Sequence, residues 1–572
     1  MIKGILRKSI EEAVKEVLPT ADMGEINLEY PGDFSHGDFS SNIALVLGKK
    51  SKMNPLELAT SLVEKINSTK SAEITKVEAV APGFINFYLS PTFFAKEIES
   101  ISKKQQYGKG ESLSGKKIVV EYTNPNPFKQ FHIGHLMDNA IGESISRLVE
   151  WNGADTKRVC YQGDVGRHVA LCIYGMRLLP EPFPDETQTL SKKVAYLGKA
   201  YAAGSKAVKD DPSLDELIRS LNKKIYDHSD GEINELYVAG KEWSLLGFEE
   251  IYQKLGTKFD RYFFESVTGP IGLKLVEEGL EKGVFEKSEG AIIFPGEKYG
   301  EHTRVFVNKE GLPTYEAKEL GLAQAKYDEF KHDIAITVTA NEINAYFKVI
   351  VKALSLINAE LAQKIRHISH GLLKLTTGKM SSRTGDVVTA ESMIVDTESR
   401  VMEKIADREF TDEERKEVAE IVAIGALKYS ILKQSPGKDI IFDMEQALSF
   451  EGDSGPYLQY AYVRAMAVLA KAATKKAEIG DDSVSATGTS ADLQRLLVRF
   501  ADIVERAGKE YAPQHVTTYL VSVAAEFNSF YANNPILDGG PDSEYRILLT
   551  QATSTVLKNG LTILGINTPA KM

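Results

Sequence analysis

Two histidines three residues apart, His132 and His135, flank Ile133-Gly134 in the stretch NPNPFKQFHIGHLMDNAIGESISRLVEW, residues 124–151. Such a pair could ligate a metal, could be two unrelated surface or core histidines, or could donate N–H groups to an anion. A metal site needs further ligands. No cysteine and no further histidine stands nearby, so no metal is expected. The neighbouring residues favour an anion. Pro125 and Pro127 stop a strand and hold the following loop extended. Gly134 removes a side chain where the backbone passes close to something. A helix opens at the same point, and its first turn presents unpaired N–H groups and a partial positive charge. A phosphate chain fits this arrangement.

Positioning such a site takes a sheet. IVVEYT (118–123) is a β-branched run that reads as a buried strand. A helix over about 135–151 and a second strand, TKRVCYQ (156–162), follow it. The β-α-β order predicts a parallel pair, and ligands of open parallel sheets bind beyond the carboxyl ends of the strands. Residues 185–260 are rich in Lys, Glu and Ala at helical spacing and read as an inserted helical piece. Strand signals return at GAIIFP, TRVFVN and DIAITVT, and from about residue 400 the pattern is almost wholly helical. Residues 1–107 read as a small α/β unit with strands at ITKVEAV and GFINFYL, joined to the rest by the polar stretch 103–117.

The 572 residues are too many for one core. Hydrophobic residues make up 43% and charged residues 26%, as in ordinary globular proteins. No apolar run is long enough to cross a membrane, and the N-terminal helix lacks the features of a signal peptide. Only Cys160 and Cys172 are present, which excludes a disulfide framework and a Cys-rich zinc site and points to the cytoplasm. Net charge is −11. Residues 1–107 carry −1 and residues 456–572 carry 0, so the acidic excess lies in the middle, where it would suit a cationic small substrate.

His132-Ile133-Gly134-His135 matches the first motif of class I aminoacyl-tRNA synthetases. Lys379-Met380-Ser381-Ser382, 247 residues later, resembles the second. The text VVEYTNPNPFKQFHIGHL is similar to the arginyl-tRNA synthetase form of the first motif. The resemblance runs on in order through DFSHGDFSSNIALVL (33–47), YQGDVGRH (161–168), GLPTYEAKELGLAQAKY (311–327), SFEGDSGPYLQYAYVRAMAVL (449–469) and the final LGINTPAKM. Three residues depart from the usual pattern in the C-terminal module. Tyr462-Val463 replaces His-Ala, and Lys571 replaces Arg.

The resemblance implies a Rossmann-like α/β catalytic domain over 108–395 with the helical insertion at about 185–260. It also implies an N-terminal tRNA-binding module over 1–107, a helical connection over 396–448 and an all-α anticodon-binding domain over 449–572. It implies ATP with Mg²⁺, L-arginine and tRNA(Arg) as reactants, and a monomer. His132, Gly134, His135, Lys379, Met380, Ser381 and Ser382 would bind ATP, with His132, His135 and Lys379 acting on the phosphates. Glu121, Asn126 and Tyr315 would hold arginine. Glu319 stands four residues after Tyr315, where the family usually has Asp, and is assigned there with one extra methylene. A family glutamine after the next strand has Asn341 and Glu342 as its candidate replacements. Alternatives are another class I synthetase or a small-molecule nucleotidyl ligase of the same fold. The zinc ligands of the cysteinyl type and the large editing domain of the branched-chain types are missing.

Overall fold

The computed structural model describes residues 2–375, 389–476, 491–540 and 542–572. The chain divides into two compact units, one of 108–463, 501–521 and 558–572, the other of 1–107, 464–500 and 522–557.

The larger unit is built on a five-stranded parallel sheet. Its strands are β1 (Lys117–Glu121), β2 (Asp155–Gln162), β3 (Arg261–Phe264), β4 (Ile334–Ala340) and β5 (Ile365–His370), in the order β5-β4-β1-β2-β3. A half-exposed sheet would bury every second residue of a strand. Instead Ile118, Val119 and Val120 are all buried, as a strand covered on both faces requires. β1 pairs with β2, Glu121 opposite Val159, and with β4, Glu121 opposite Thr337. The chain builds outward from β1 through β2 and β3, then returns to add β4 on the other side. The strand order therefore reverses at β1/β4, the place where such sheets open a crevice at their carboxyl ends.

Helix α1 (Ile133–Trp151) follows β1 directly. Leu136, Ala140, Ile145 and Leu148 are buried on it, as its periodicity predicts. Gly142 admits the Tyr122 ring; a Cβ there would lie 2.2 Å from Tyr122 Cγ. Between β2 and β3 come α2 (Leu190–Asp210), α3 (Asp215–Asp227) and α4 (Gly231–Leu255), where the insertion was expected. α5 (Glu265–Glu281) and α6 (Tyr315–Phe330) lead on to β4.

GAIIFP and TRVFVN are strands, but not of the main sheet. They form a separate antiparallel sheet with Glu286–Ser288. Among the described residues after 400 the helices are joined by one short strand, Ile440–Phe442, paired with Leu373–Leu375. Among these helices is α7 (Asp412–Leu432), opened by a Thr411/Glu414 capping box.

The second unit contains helix Ile2–Val17 and a three-stranded antiparallel sheet in the order Phe39–Ser41, Phe84–Leu89, Ile74–Val80. Leu6, Ile10, Phe39, Leu62 and Phe87 are central to its core. Asp38 is buried there. One carboxylate oxygen accepts the Leu89 N–H at 2.7 Å, and the other lies 2.8 Å from Arg495 Nε. Helix α8 (Ser543–Ile563) begins in this unit and ends in the larger one. Among the described residues no helix is long and apolar enough to cross a membrane.

Candidate active site

The loop from β1 to α1 is strained and tightly held. Thr123, Asn124 and Phe128 have φ of 76°, 46° and 67°. Left-handed backbone at non-glycine residues costs of order 1–3 kcal/mol each. Hydrogen bonds offset this cost. Thr123 Oγ1 accepts from Asn139 Nδ2 at 3.1 Å. Asn124 Oδ1 accepts the Tyr161 N–H at 2.8 Å, and its Nδ2 donates to Glu121 Oε1 at 2.9 Å. The Phe128 N–H donates to Ser244 Oγ at 2.9 Å, and its ring fills the space left by Gly240.

The loop delivers His132 as the N-cap of α1. Its Nδ1 accepts the Gly134 N–H at 3.1 Å, while the His132 N–H donates to His135 Nδ1 at 3.2 Å. The two rings stack at 3.6 Å. Since both Nδ1 atoms accept, the neutral rings carry their protons on Nε2. Burial holds both pKa values below the usual histidine range, His135 well below, and the nearby Lys129 charge adds to this. Each ring is thus a fixed, uncharged N–H donor at a helix N-terminus. The glycine between them has a use that its sequence position did not reveal. A Cβ on Gly134 would come within 2.9 Å of His132 Cε1, so the missing side chain admits the capping ring.

Beside this cap, carboxylates gather. Glu121, 1% exposed, ends β1 and pairs with Lys326 of α6. Glu265 opens α5, is buried, and lies 2.5 Å from Lys318 Nζ. Asn126 Oδ1 and Glu265 Oε1 lie 2.3 and 3.0 Å from the point where a Cβ on Gly163 would stand, so that glycine lets the two groups meet. Glu319 is half-buried, with its pKa raised to about 8, first by burial and then by the Glu121 charge. Three carboxyl groups therefore face two ammonium groups. Among the described residues, Glu319 is the one left over.

Tyr315 starts α6 and is 59% exposed, and Lys318 Nζ lies 5.2 Å from its ring centre. Asn341 is half-buried and Glu342 exposed in the turn after β4. Lys379, Met380, Ser381 and Ser382 lie outside the described residues. Four residues were not singled out from sequence. Glu265, Lys318 and Lys326 complete the charge cluster. Asp164, fully buried, accepts from Ser266 N–H and Oγ at 2.9 and 2.7 Å and from Lys241 Nζ at 2.7 Å, and so fixes the start of α5. The one available signal was a glutamate or aspartate inside an otherwise apolar or glycine-rich run, as in RYFFESVTGP.

Comparison with known proteins gives three family matches along the chain. The family described as "tRNA synthetases class I (R), catalytic domain" matches residues 97–444. "Arginyl tRNA synthetase N terminal domain" matches 4–89, and "DALR anticodon binding domain" matches 458–572. The arginine–tRNA ligase of Treponema denticola is 31% identical over 588 residues, covering 99% of this chain and 98% of its own. That of Streptococcus pneumoniae serotype 4 is 30% identical over 574 residues, covering 100% and 98%. The fold is similar to solved arginyl-tRNA synthetases from Thermus thermophilus (TM-score 0.81, 23% identity, all of both chains) and Plasmodium falciparum (TM-score 0.82, 21% identity, 100% and 99%). With the class I catalytic model spanning more than half the chain and relatives of this identity matching nearly all of it, the chain belongs to the arginyl-tRNA synthetases of class I.

Proposed function

We propose that the protein ligates L-arginine to tRNA(Arg). The arginine carboxylate attacks the α-phosphate of ATP, forming arginyl-adenylate and releasing pyrophosphate. A terminal ribose hydroxyl of the tRNA then takes the arginyl group and AMP leaves. The observation that carries this reading is a cluster of three carboxyl groups and two ammonium groups, with Glu319 the surplus carboxyl, on the sheet whose strand β1 leads into a helix capped by two neutral histidine donors.

A guanidinium offers five N–H donors and one fixed positive charge. It would neutralise Glu319 and draw further bonds from Asn126, Tyr315 and the Glu265 and Glu121 carboxylates. Lysine or an apolar competitor would leave buried acceptors unpaired, a mismatch that costs ~10⁴–10⁵ in rate ratio without editing. ATP enters as its Mg²⁺ complex, since Mg²⁺ prefers phosphate oxygens and water to an all-protein cage. The Nε2–H groups of His132 and His135 would donate to the phosphates. Lys379, with Met380, Ser381 and Ser382, would close on the triphosphate and offset charge on the leaving pyrophosphate. No covalent protein intermediate is needed, because alignment and charge stabilisation suffice for nucleotidyl transfer.

Residues 1–107 serve in this reading as an additional tRNA-binding module, 108–395 as the catalytic domain, 396–448 as the connection and 449–572 as the anticodon-binding domain. The enzyme acts as a cytoplasmic monomer. Aminoacylation of bulk tRNA with each of the twenty amino acids tests the reading. Arginine alone should be attached, with ATP consumed. Attachment of a different amino acid, or adenylation without transfer to RNA, would replace it with one of the rival ligases of this fold.

A further inference from the structure

The back of α1 is tied to the end of the chain. Glu143 receives three groups: Tyr122 Oη at 2.5 Å, Arg147 Nε at 2.7 Å and Arg158 Nε at 3.3 Å. Arg147 goes on to donate to Thr562 O at 3.0 Å and to Gly256 O at 3.2 Å. Ser144 Oγ donates to Ile563 O at 3.2 Å. The Thr562 and Ile563 carbonyls belong to the last turn of α8, whose C-terminal partial charge favours a cation.

Beyond α8 the chain is no longer helical, yet it stays held. Lys428 of α7 is 1% exposed, and its Nζ donates to Gly565 O and Leu255 O, both at 2.6 Å. Burial drives its pKa down to about 7, with the Arg147 charge adding to this. Gln459 Nε2 donates to Asn567 O at 2.7 Å, Lys571 pairs with Glu414 at 2.7 Å, and Met572 packs on the central core. Side chains from several elements thus hold the carbonyls of Thr562, Ile563, Gly565 and Asn567 along one strap.

We infer that residues 562–572 form a strap that positions the histidine-capped end of α1, with Arg147 and Lys428 as its anchors. A helix of 19 residues is a rod about 28 Å long. A shift or rotation at Arg147 therefore carries through to His135, twelve residues earlier on the same rod. Tyr122, held by Glu143, sits beside Glu121, so the same tie reaches the carboxylate side of the site. Arg147 and Lys428 touch no reacting atom. They act through α1 as positioning residues for the ligase chemistry proposed above, and the inference rests on that reading.

The test uses the full-length protein, its Arg147→Met, Arg147→Lys and Lys428→Met variants, and a chain ending at Leu564, which lacks the carbonyls that Lys428 and Gln459 hold. ATP–pyrophosphate exchange is measured with arginine and tRNA present, and amide hydrogen exchange is followed over residues 135–142. Arg147→Met is expected to lower kcat at least tenfold with the arginine KM moving less than twofold, and to quicken amide exchange at least tenfold. Arg147→Lys is expected to recover most of the rate, and the shortened chain to fall between. Unchanged kcat and unchanged amide exchange in Arg147→Met and the shortened chain would overturn the strap. So would a lower Tm with full kcat per folded molecule. Should Lys428→Met fail to fold, the other variants decide. Wild-type protein that exchanged no pyrophosphate would count against the ligase reading, and the amide exchange would still decide this one.

Discussion

Asp138 Oδ1 lies 2.5 Å from His370 Nε2, joining α1 to the last residue of β5. The other ring nitrogen, Nδ1, lies 2.7 Å from Gly371 O. Both ring nitrogens face acceptors, so the geometry calls for the imidazolium. Burial opposes that charge, but the Asp138 hydrogen bond and charge outweigh it, and the His370 pKa is raised. Burial also raises Asp138, against the pull of His370, which offsets part of the gain.

Stability should therefore depend on pH through this pair. A histidine whose folded pKa exceeds its unfolded value contributes fully below about 6.5. Its contribution is lost as pH rises through the raised folded pKa. The urea midpoint of the wild type should fall from pH 6 to pH 9 by more than that of His370→Asn. Equal pH slopes in the two proteins would show that the pair is neutral throughout.

Arginine binding should strengthen with pH for a different reason. In the proposed reading Glu319 would bind the guanidinium as carboxylate, yet its pKa stands at about 8 before arginine arrives. Below that value a proton must leave first. The arginine KM should drop by up to tenfold per pH unit between pH 6 and 7.5 and level off above about 8.5. Glu319→Gln should raise the KM about 10- to 100-fold, as loss of a charge-assisted contact of about 1.5–3 kcal/mol implies, and should flatten the pH profile. A profile that kept its slope in Glu319→Gln would assign the titration to another group.

His135 has two separable tasks. Its Nδ1 accepts from the His132 N–H, and its Nε2–H points elsewhere. Asparagine can replace the acceptor but not the distal donor; glutamine can replace the donor but not the acceptor. His135→Asn should keep its Tm within a few degrees and lose about 10²–10³ in kcat, the range for one transition-state donor. His135→Gln should keep more of the rate and lose more stability. The reverse order would mean that the ring serves the helix cap alone.

Gly163→Ala probes the side proposed to hold arginine, away from the histidine cap proposed to hold phosphate. Its Cβ would stand 2.3 Å from Asn126 Oδ1 and 3.0 Å from Glu265 Oε1, both ends of side chains that can swing away. Stability should change by less than about 1.5 kcal/mol, while the arginine KM rises at least tenfold and the ATP KM stays within twofold. Titration calorimetry with each substrate alone would separate the two.

The parts of this architecture that are local in sequence were legible there. The β-branched run 118–123, the apolar stripe of α1 and the Lys/Ala-rich insertion each declare themselves within a short window. Strand partners do not. GAIIFP and TRVFVN show strand composition, but nothing in them says that they pair with each other rather than with the main sheet. Charge pairing is harder still. Glu121 and Lys326 are 205 residues apart, and Glu265 and Lys318 are 53 apart. On sequence alone both lysines belong to an ordinary charged helix. The resemblance to a known family supplied Asn126, Tyr315 and Glu319. It left out Glu265, whose place in the charge cluster follows from its burial, its pairing with Lys318 and the gap at Gly163.

β1 lies between β2 and β4, yet β4 is made more than two hundred residues after it. At about 5–20 residues per second, the ribosome needs about 10 to 40 s to supply that neighbour. Throughout that interval Ile118, Val119 and Val120 offer one unpaired apolar edge to the surrounding solvent. The order of strands in the finished sheet thus sets a window of aggregation risk during synthesis, and a helper that shields nascent chains would matter most between the emergence of β2 and that of β4.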